Sequence, residues 1–173
     1  DTLRLDEEWW VSSVNDSLTV GGKLYMTTSD ISFFPFEATW GIFFNEDICD
    51  ELKLEYPYEL VKSGKWTIDK LNEYAKAGAL QGSADSFEPY NIDGDSRYGF
   101  ASHHDFPLAL IFGAGESFIK IENDKAVFNA DSEKMFDIYN KIAALTSEKG
   151  TYYNWDFGLK TNAAQEFMKR RLM

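Results

Sequence analysis

Short runs rich in β-branched and aromatic residues alternate with segments of helical period along this chain, which predicts an α/β fold. Two runs, Lys23 to Met26 and Trp40 to Phe44, read as strands. Between them lies a polar and aromatic loop holding Ser29, Asp30, Phe33, Phe34, Pro35 and Phe36. A loop held between strands presents side chains to a ligand. Ahead of it, residues 1–20 place Leu3, Leu5, Trp9, Trp10, Val11 and Val14 among acidic, Ser and Asn residues, an irregular lead-in that includes a helical turn. Adjacent tryptophans point to different sides of a backbone, so one of Trp9 and Trp10 is expected to pack inward.

Further along, Asn45 is placed to cap a helix from Glu46 to Leu52, with Glu46 and Asp47 at its positive end and Tyr56-Pro57-Tyr58 breaking it. Thr67 caps a second helix with Asp69 in its first turn and Ile68, Leu71 and Ala75 on one face, stopped at Gly78. Trp66 reads as a staple or core anchor. Residues 78–97 read as a loop, Tyr98 to Ala101 as a buried strand, and Phe106 to Phe112 as a helix closed by Gly113-Ala114-Gly115. Phe118, Ile119 and Ile121 face Ala126, Val127 and Phe128 across a good hairpin turn, Asn123-Asp124. Asp131 is expected to cap the most regular helix, with Met135, Tyr139, Ile142, Ala143 and Thr146 as its buried stripe up to Gly150. Tyr152, Tyr153 and Trp155 fall in a predicted loop, and Asn162 to Met168 begins a last helix.

The length of 173 residues, 44% of them hydrophobic, suffices for one domain with a real core and excludes disorder. A formal net charge of −12 excludes nucleic acid as a partner, because phosphate affinity rests on clustered Lys and Arg. Cys49 is the single cysteine, has no internal disulfide partner, and lies in the apolar pattern of a short helix as a small core residue. No stretch approaches the ~18 apolar residues of a membrane span.

Chemistry is poorly signalled. Gly113-Ala114-Gly115 follows a helix and lacks a third glycine, which argues against a dinucleotide site. No Gly-x-Ser-x-Gly elbow is present, and His103 and His104 have no evident Ser or Cys partner. A hydrolase of glycosides needs two carboxyl groups at set separation, for which Glu37 and Asp105 are the best pair available. Asn91, Asp93 and Asp95 alternate as calcium ligands do, yet Ser96 and Ser102 stand where such a loop needs Gly and Glu; a solvated turn is the simpler reading beside a structural calcium.

Gly22-Lys23-Leu24-Tyr25, then Phe43-Phe44-Asn45 with Asp47, Gly64-Lys65-Trp66-Thr67 with Leu71, Tyr98-Gly99-Phe100, and Phe128-Asn129 opening a helix follow one another in an order that resembles the extracellular solute-binding proteins of carbohydrate ABC transporters. The resemblance covers roughly residues 9–168. It implies that residues 1–173 are a single domain, a partial second lobe of a two-lobe protein, with residues 1–30 as lead-in and hinge strand. The implied fold is a type II periplasmic-binding-protein-like lobe with helices packed on a mixed β-sheet.

The implied function is capture of an extracellular sugar or oligosaccharide and its delivery to an ABC transporter permease, by a cell-surface lipoprotein or periplasmic protein with no enzyme activity and no required cofactor. A glycoside hydrolase fragment and a carbohydrate-binding module outside transport are the alternatives. Sugar recognition needs flat apolar faces plus carboxylates and amides for the hydroxyls. The resemblance places ligand contacts at Ser29, Asp30 and Phe33 with Thr28, and at His103, His104, Asp105 and Phe106 with Ser102. From the residues themselves, Trp155 and Tyr153 read equally as an aromatic wall or as side chains buried under the last helix. The two loops are expected side by side.

Overall fold

A computed structural model describes residues 2–29, 32, 33, 37, 39–84, 87, 94–154, 167, 169, 172 and 173. The chain is mixed α/β and separates into two compact units, residues 1–42 with 117–132, and residues 43–116 with 133–173. The strands form three two-stranded sheets among the described residues, where one mixed sheet was expected.

In the first unit, helix α1 (Ser12–Leu18) runs into a hairpin of β1 (Thr19–Val20) and β2 (Lys23–Leu24). Gly21 and Gly22 make the turn at φ 58° and 70°, both in the left-handed region a two-residue hairpin requires. Trp10 forms an antiparallel bridge with Ser29 and donates its indole N–H to the Leu3 carbonyl at 3.0 Å. Trp10 is half-buried while Trp9 is exposed, dividing the adjacent pair as expected. The predicted strand over Trp40 to Phe44 does not form. Among the described residues they pair with no strand, and Phe43 is 87% exposed, so no described ladder holds them extended.

The predicted hairpin of β4 (Ile119–Glu122) and β5 (Lys125–Phe128) belongs to the same unit, with Asn123 and Asp124 at φ 52° and 59° in its turn. Register puts Ile119 opposite Phe128 and Ile121 opposite Ala126, one apolar face that stays exposed. Among the described residues, this unit buries only Asn15 and Ser29; all buried hydrophobic residues belong to the other unit.

The second unit holds helices α2 (Glu46–Leu52), α3 (Pro57–Lys62), α4 (Ile68–Gly78), α5 (Phe106–Gly113) and α6 (Glu133–Ser147), with strands β3 (Phe100–Ser102) and β6 (Tyr152–Asn154). The Asn45 side chain caps α2 by accepting from the Ile48 N–H, and Thr67 caps α4 by accepting from Lys70. Pro57 does not merely break α2. It opens α3 at the first turn, where a missing N–H costs nothing. Trp66 is a core anchor, edge-on to Tyr74 at 5.6 Å.

Helix α2 ends with Lys53 at φ 56°, the Leu54 N–H bonded to the Cys49 carbonyl at 2.9 Å and the Lys53 N–H to Asp50 at 3.1 Å. That left-handed closing position suits glycine. Lys53→Gly is expected to raise stability by about 0.5–1 kcal/mol in urea denaturation, since it relieves the Cβ strain without removing a buried contact. A loss of stability would contradict this end geometry.

One core cluster gathers Ile48, Cys49, Leu60, Tyr74 and Met173, with Phe44, Leu52 and Trp66 against it. Burial, then Asp50 and Glu46, push the Cys49 thiol up, in keeping with an inert core residue. A second cluster joins Tyr98, Tyr153 and Leu172, with Phe87, Ala101 and Phe167 against it. Tyr98 forms a parallel bridge with Leu172, just ahead of β3. Arg97 is nearly buried, donates Nε–H to the Gly78 carbonyl at 2.7 Å and Nη1–H to Glu51 at 3.1 Å, and so ties α2 to the end of α4.

Helix α6 begins at Glu133, so the position ahead of it is Ser132 rather than Asp131. Its buried stripe is Met135, Ile138, Ile142 and Leu145. Ala143 and Thr146 are exposed and Tyr139 is half-buried, which corrects the predicted stripe. The segment predicted as a loop after Gly150 is β6. Only Phe167 of the predicted last helix lies among the described residues.

Candidate functional site

Strands β3 and β6 run parallel, with Phe100 opposite Tyr152, Ala101 opposite Tyr153 and Ser102 opposite Asn154. Side chains alternate across a strand, so Phe100, Ser102, Tyr152 and Asn154 share one face, and Ala101 and Tyr153 the other. The second face is closed by core: Tyr153 packs on Tyr98 at 4.9 Å between ring centroids. The first carries an aromatic stack in which Tyr152 lies 4.8 Å from Phe106 and 6.0 Å from Phe100, and Phe100 meets Phe106 edge-on at 5.6 Å.

At the carboxyl end of β3 the chain turns through His103, His104 and Asp105 into α5. The Phe106 N–H bonds back to the His103 carbonyl at 3.3 Å. The Tyr152 hydroxyl donates to the Ser102 and His103 carbonyls, each at 3.3 Å, and so steadies this turn from the neighbouring strand. His103, His104 and Asp105 are exposed; Ser102 and Asn154 are half-buried. Asp105 occupies the position before α5, yet its side chain makes no capping bond. Its carboxylate stays available as an acceptor at a helix N-terminus, where negative charge is favoured.

Phe106 was expected to stack on a ligand ring. It is 6% exposed beneath Phe100 and Tyr152, so it serves as the floor of the turn and Tyr152, half-buried, is the ring nearer the surface. The other predicted segment belongs to the first unit: Ser29 is buried in its bridge to Trp10, and Phe33 is 81% exposed. Asp30 and Trp155 lie outside the described residues, as do Asn91 and Asp93. Asp95 is committed to the chain itself, its Oδ1 accepting from the Ser83 N–H at 2.7 Å and the Ser83 hydroxyl at 3.2 Å. Among the described residues no three His, Cys, Asp or Glu side chains gather in a metal-holding group.

Of the expected site residues, the structure therefore places Ser102, His103, His104 and Asp105 at one strand end, and sets Tyr152 and Asn154 beside them on the neighbouring strand. Tyr152 escaped the sequence reading because Tyr152-Tyr153 was assigned to a loop. The run Thr151-Tyr152-Tyr153, all strand-favouring residues, was the signal available. No described helix is long and apolar enough to cross a membrane. In comparisons with known proteins the chain matches no family model, no curated protein and no solved structure.

Proposed function

We propose that this chain is much of the second lobe of an extracellular solute-binding protein, of the type II periplasmic-binding-protein kind, which captures a sugar or oligosaccharide and hands it to an ABC transporter permease. The observation that carries this reading is the turn after β3. Exposed His103, His104 and Asp105 sit at the carboxyl end of a parallel strand pair, where α/β folds bind ligands, over an aromatic stack led by Tyr152. Asp105 accepts hydrogen bonds from sugar hydroxyls and the histidines donate or accept them; nothing in this arrangement requires a reaction. The exposed Tyr25, Phe33 and Trp40 of the first unit, which buries no hydrophobic residue among those described, fit a surface that the first lobe of the same protein covers.

Part of the cleft wall then comes from the first lobe, and the 173-residue chain alone binds sugar only in the millimolar range. Calorimetry against a panel of malto-, cello- and manno-oligosaccharides measures this. Micromolar or tighter binding by the isolated chain, or release of reducing ends from any of these sugars, would overturn the proposal.

A further inference from the structure

The two-residue turn at Asn123-Asp124 fixes which main-chain groups of the β4–β5 hairpin bond inward. Glu122 and Lys125 flank the turn as a hydrogen-bonded pair, and bonded pairs alternate with unbonded ones along an antiparallel ladder. The Asn129 N–H, bonded to the Phe118 carbonyl at 2.8 Å, keeps the same phase four residues further out. The bonded pairs are therefore Glu122–Lys125, Lys120–Val127 and Phe118–Asn129. Between them, Ile119 and Ile121 on β4, and Ala126 and Phe128 on β5, turn their N–H and C=O groups away from the hairpin. The Ile119 carbonyl takes the Ser117 hydroxyl at 2.7 Å. Among the described residues no third strand joins this sheet, and Ile121 keeps both of its outward groups for one.

We infer that this edge takes a second copy of the chain: β4 pairs antiparallel with β4 of the partner subunit about a two-fold axis at Ile121, joining two hairpins into one four-stranded sheet. Charge selects that occupant. The chain carries −12, so two copies repel over most of their surface, whereas residues 119–128 balance Lys120 and Lys125 against Glu122 and Asp124. A two-fold contact must also be self-complementary. With the axis at Ile121, each Ile121 N–H meets the carbonyl of its counterpart, and the two side chains, 38% exposed in one chain, lie side by side. Position 120 then falls opposite position 122, Lys against Glu on both sides of the axis. An axis at Lys120 would set Lys against Lys and turn the bonding groups away. The β5 edge fits less well, since an axis at Ala126 sets Lys125 against Val127. One four-residue strand from each copy is a small contact, so the dimer is weak and forms with rising concentration. This inference is independent of the sugar-binding reading and uses none of its residues.

The test is sedimentation equilibrium of the 173-residue chain from about 10 µM to about 1 mM, the range in which a contact this small becomes populated. The average mass should climb from that of one chain toward that of two. Ile121→Pro removes the outward N–H and no bond of the hairpin itself, a change that edge strands accept, and should hold the mass at one chain throughout with an unchanged melting temperature. Ala126→Pro makes the same change on the other edge and should dimerise as the parent does. A measurement on the unaltered chain stands beside these: the Ile121 amide should exchange with deuterium more slowly at the high concentration than at the low, and the Ala126 amide equally at both. A parent that stays at the mass of one chain, two proline variants that behave alike, or an Ile121 amide whose exchange ignores concentration would each overturn the assignment.

Discussion

Gly99→Ala is expected to lose about 3 kcal/mol of stability, which lowers the melting temperature of a chain this size by about 10 °C. Gly99 is buried between the Tyr98 bridge and β3, and its N–H bonds to the Gly150 carbonyl at 2.9 Å. A Cβ built there runs into the carbonyl oxygen, carbonyl carbon and Cα of Ala75, all backbone of α4. A flexible side chain would swing aside; a helix backbone does not. The alternatives are to lift α4 off the strand or to shift β3, and either opens the contact that seats the helix. The distinguishing control is the pair with Ala75→Gly. The clash is with the Ala75 main chain, so deleting its methyl group should not rescue Gly99→Ala. Rescue, or a loss under about 1 kcal/mol, would show that the helix and strand are not in backbone contact.

The same contact bears on what could be read from the sequence. Caps and turns were legible because they depend on neighbours in the chain: Asn45 and Thr67 each satisfy an N–H three residues on, and Asn123-Asp124 accept the positive φ their hairpin demands. The β3–β6 pairing was not, because it joins residues 52 positions apart, and the strand-favouring run Thr151-Tyr152-Tyr153 does not by itself say which segment lies beside it. Trp40 to Phe44 failed in the opposite sense. Its residues favour strand, but β structure needs a partner, and without one the propensity has nothing to act on.

The candidate site divided along the same line. His103, His104 and Asp105 were found as a polar turn after a strand, a local feature. Phe106 looked equally available, and became floor because Tyr152 covers it from a strand the sequence did not announce. Asp95 was noticed for its alternation with Asn91 and Asp93, whereas its described role is to hold Ser83 across the loop.

Helix α6 gives the second large effect. Leu145→Ala is expected to lose about 3 kcal/mol, the usual result when a fully buried leucine is truncated and its cavity only partly collapses. Leu145 and Met135 are both 0% exposed and, with Ile138 and Ile142, recur at intervals of three and four residues on the face that α6 turns to α4, α5 and β6. The periodicity alone allowed a neighbouring stripe through Tyr139, Ala143 and Thr146, since both share Met135 and Ile142. Packing chose between them by what each would bury: the observed one covers two more aliphatic side chains, while the rejected one would have buried a phenol and a hydroxyl. Tyr139 instead sits at the margin, edge-on to exposed Phe136 at 6.0 Å, and the Thr146 hydroxyl bonds back to the Ile142 carbonyl at 3.2 Å. Urea denaturation of Leu145→Ala beside Ala143→Ser and Thr146→Ala therefore reads the rotation of the helix directly. The first should fall by about 3 kcal/mol and the other two by about 0.5 kcal/mol or less, as surface changes do. Equal losses at positions 143 and 145 would mean that α6 is rotated toward the rejected stripe, and with it the contacts that hold β6, and so Tyr152, against the turn.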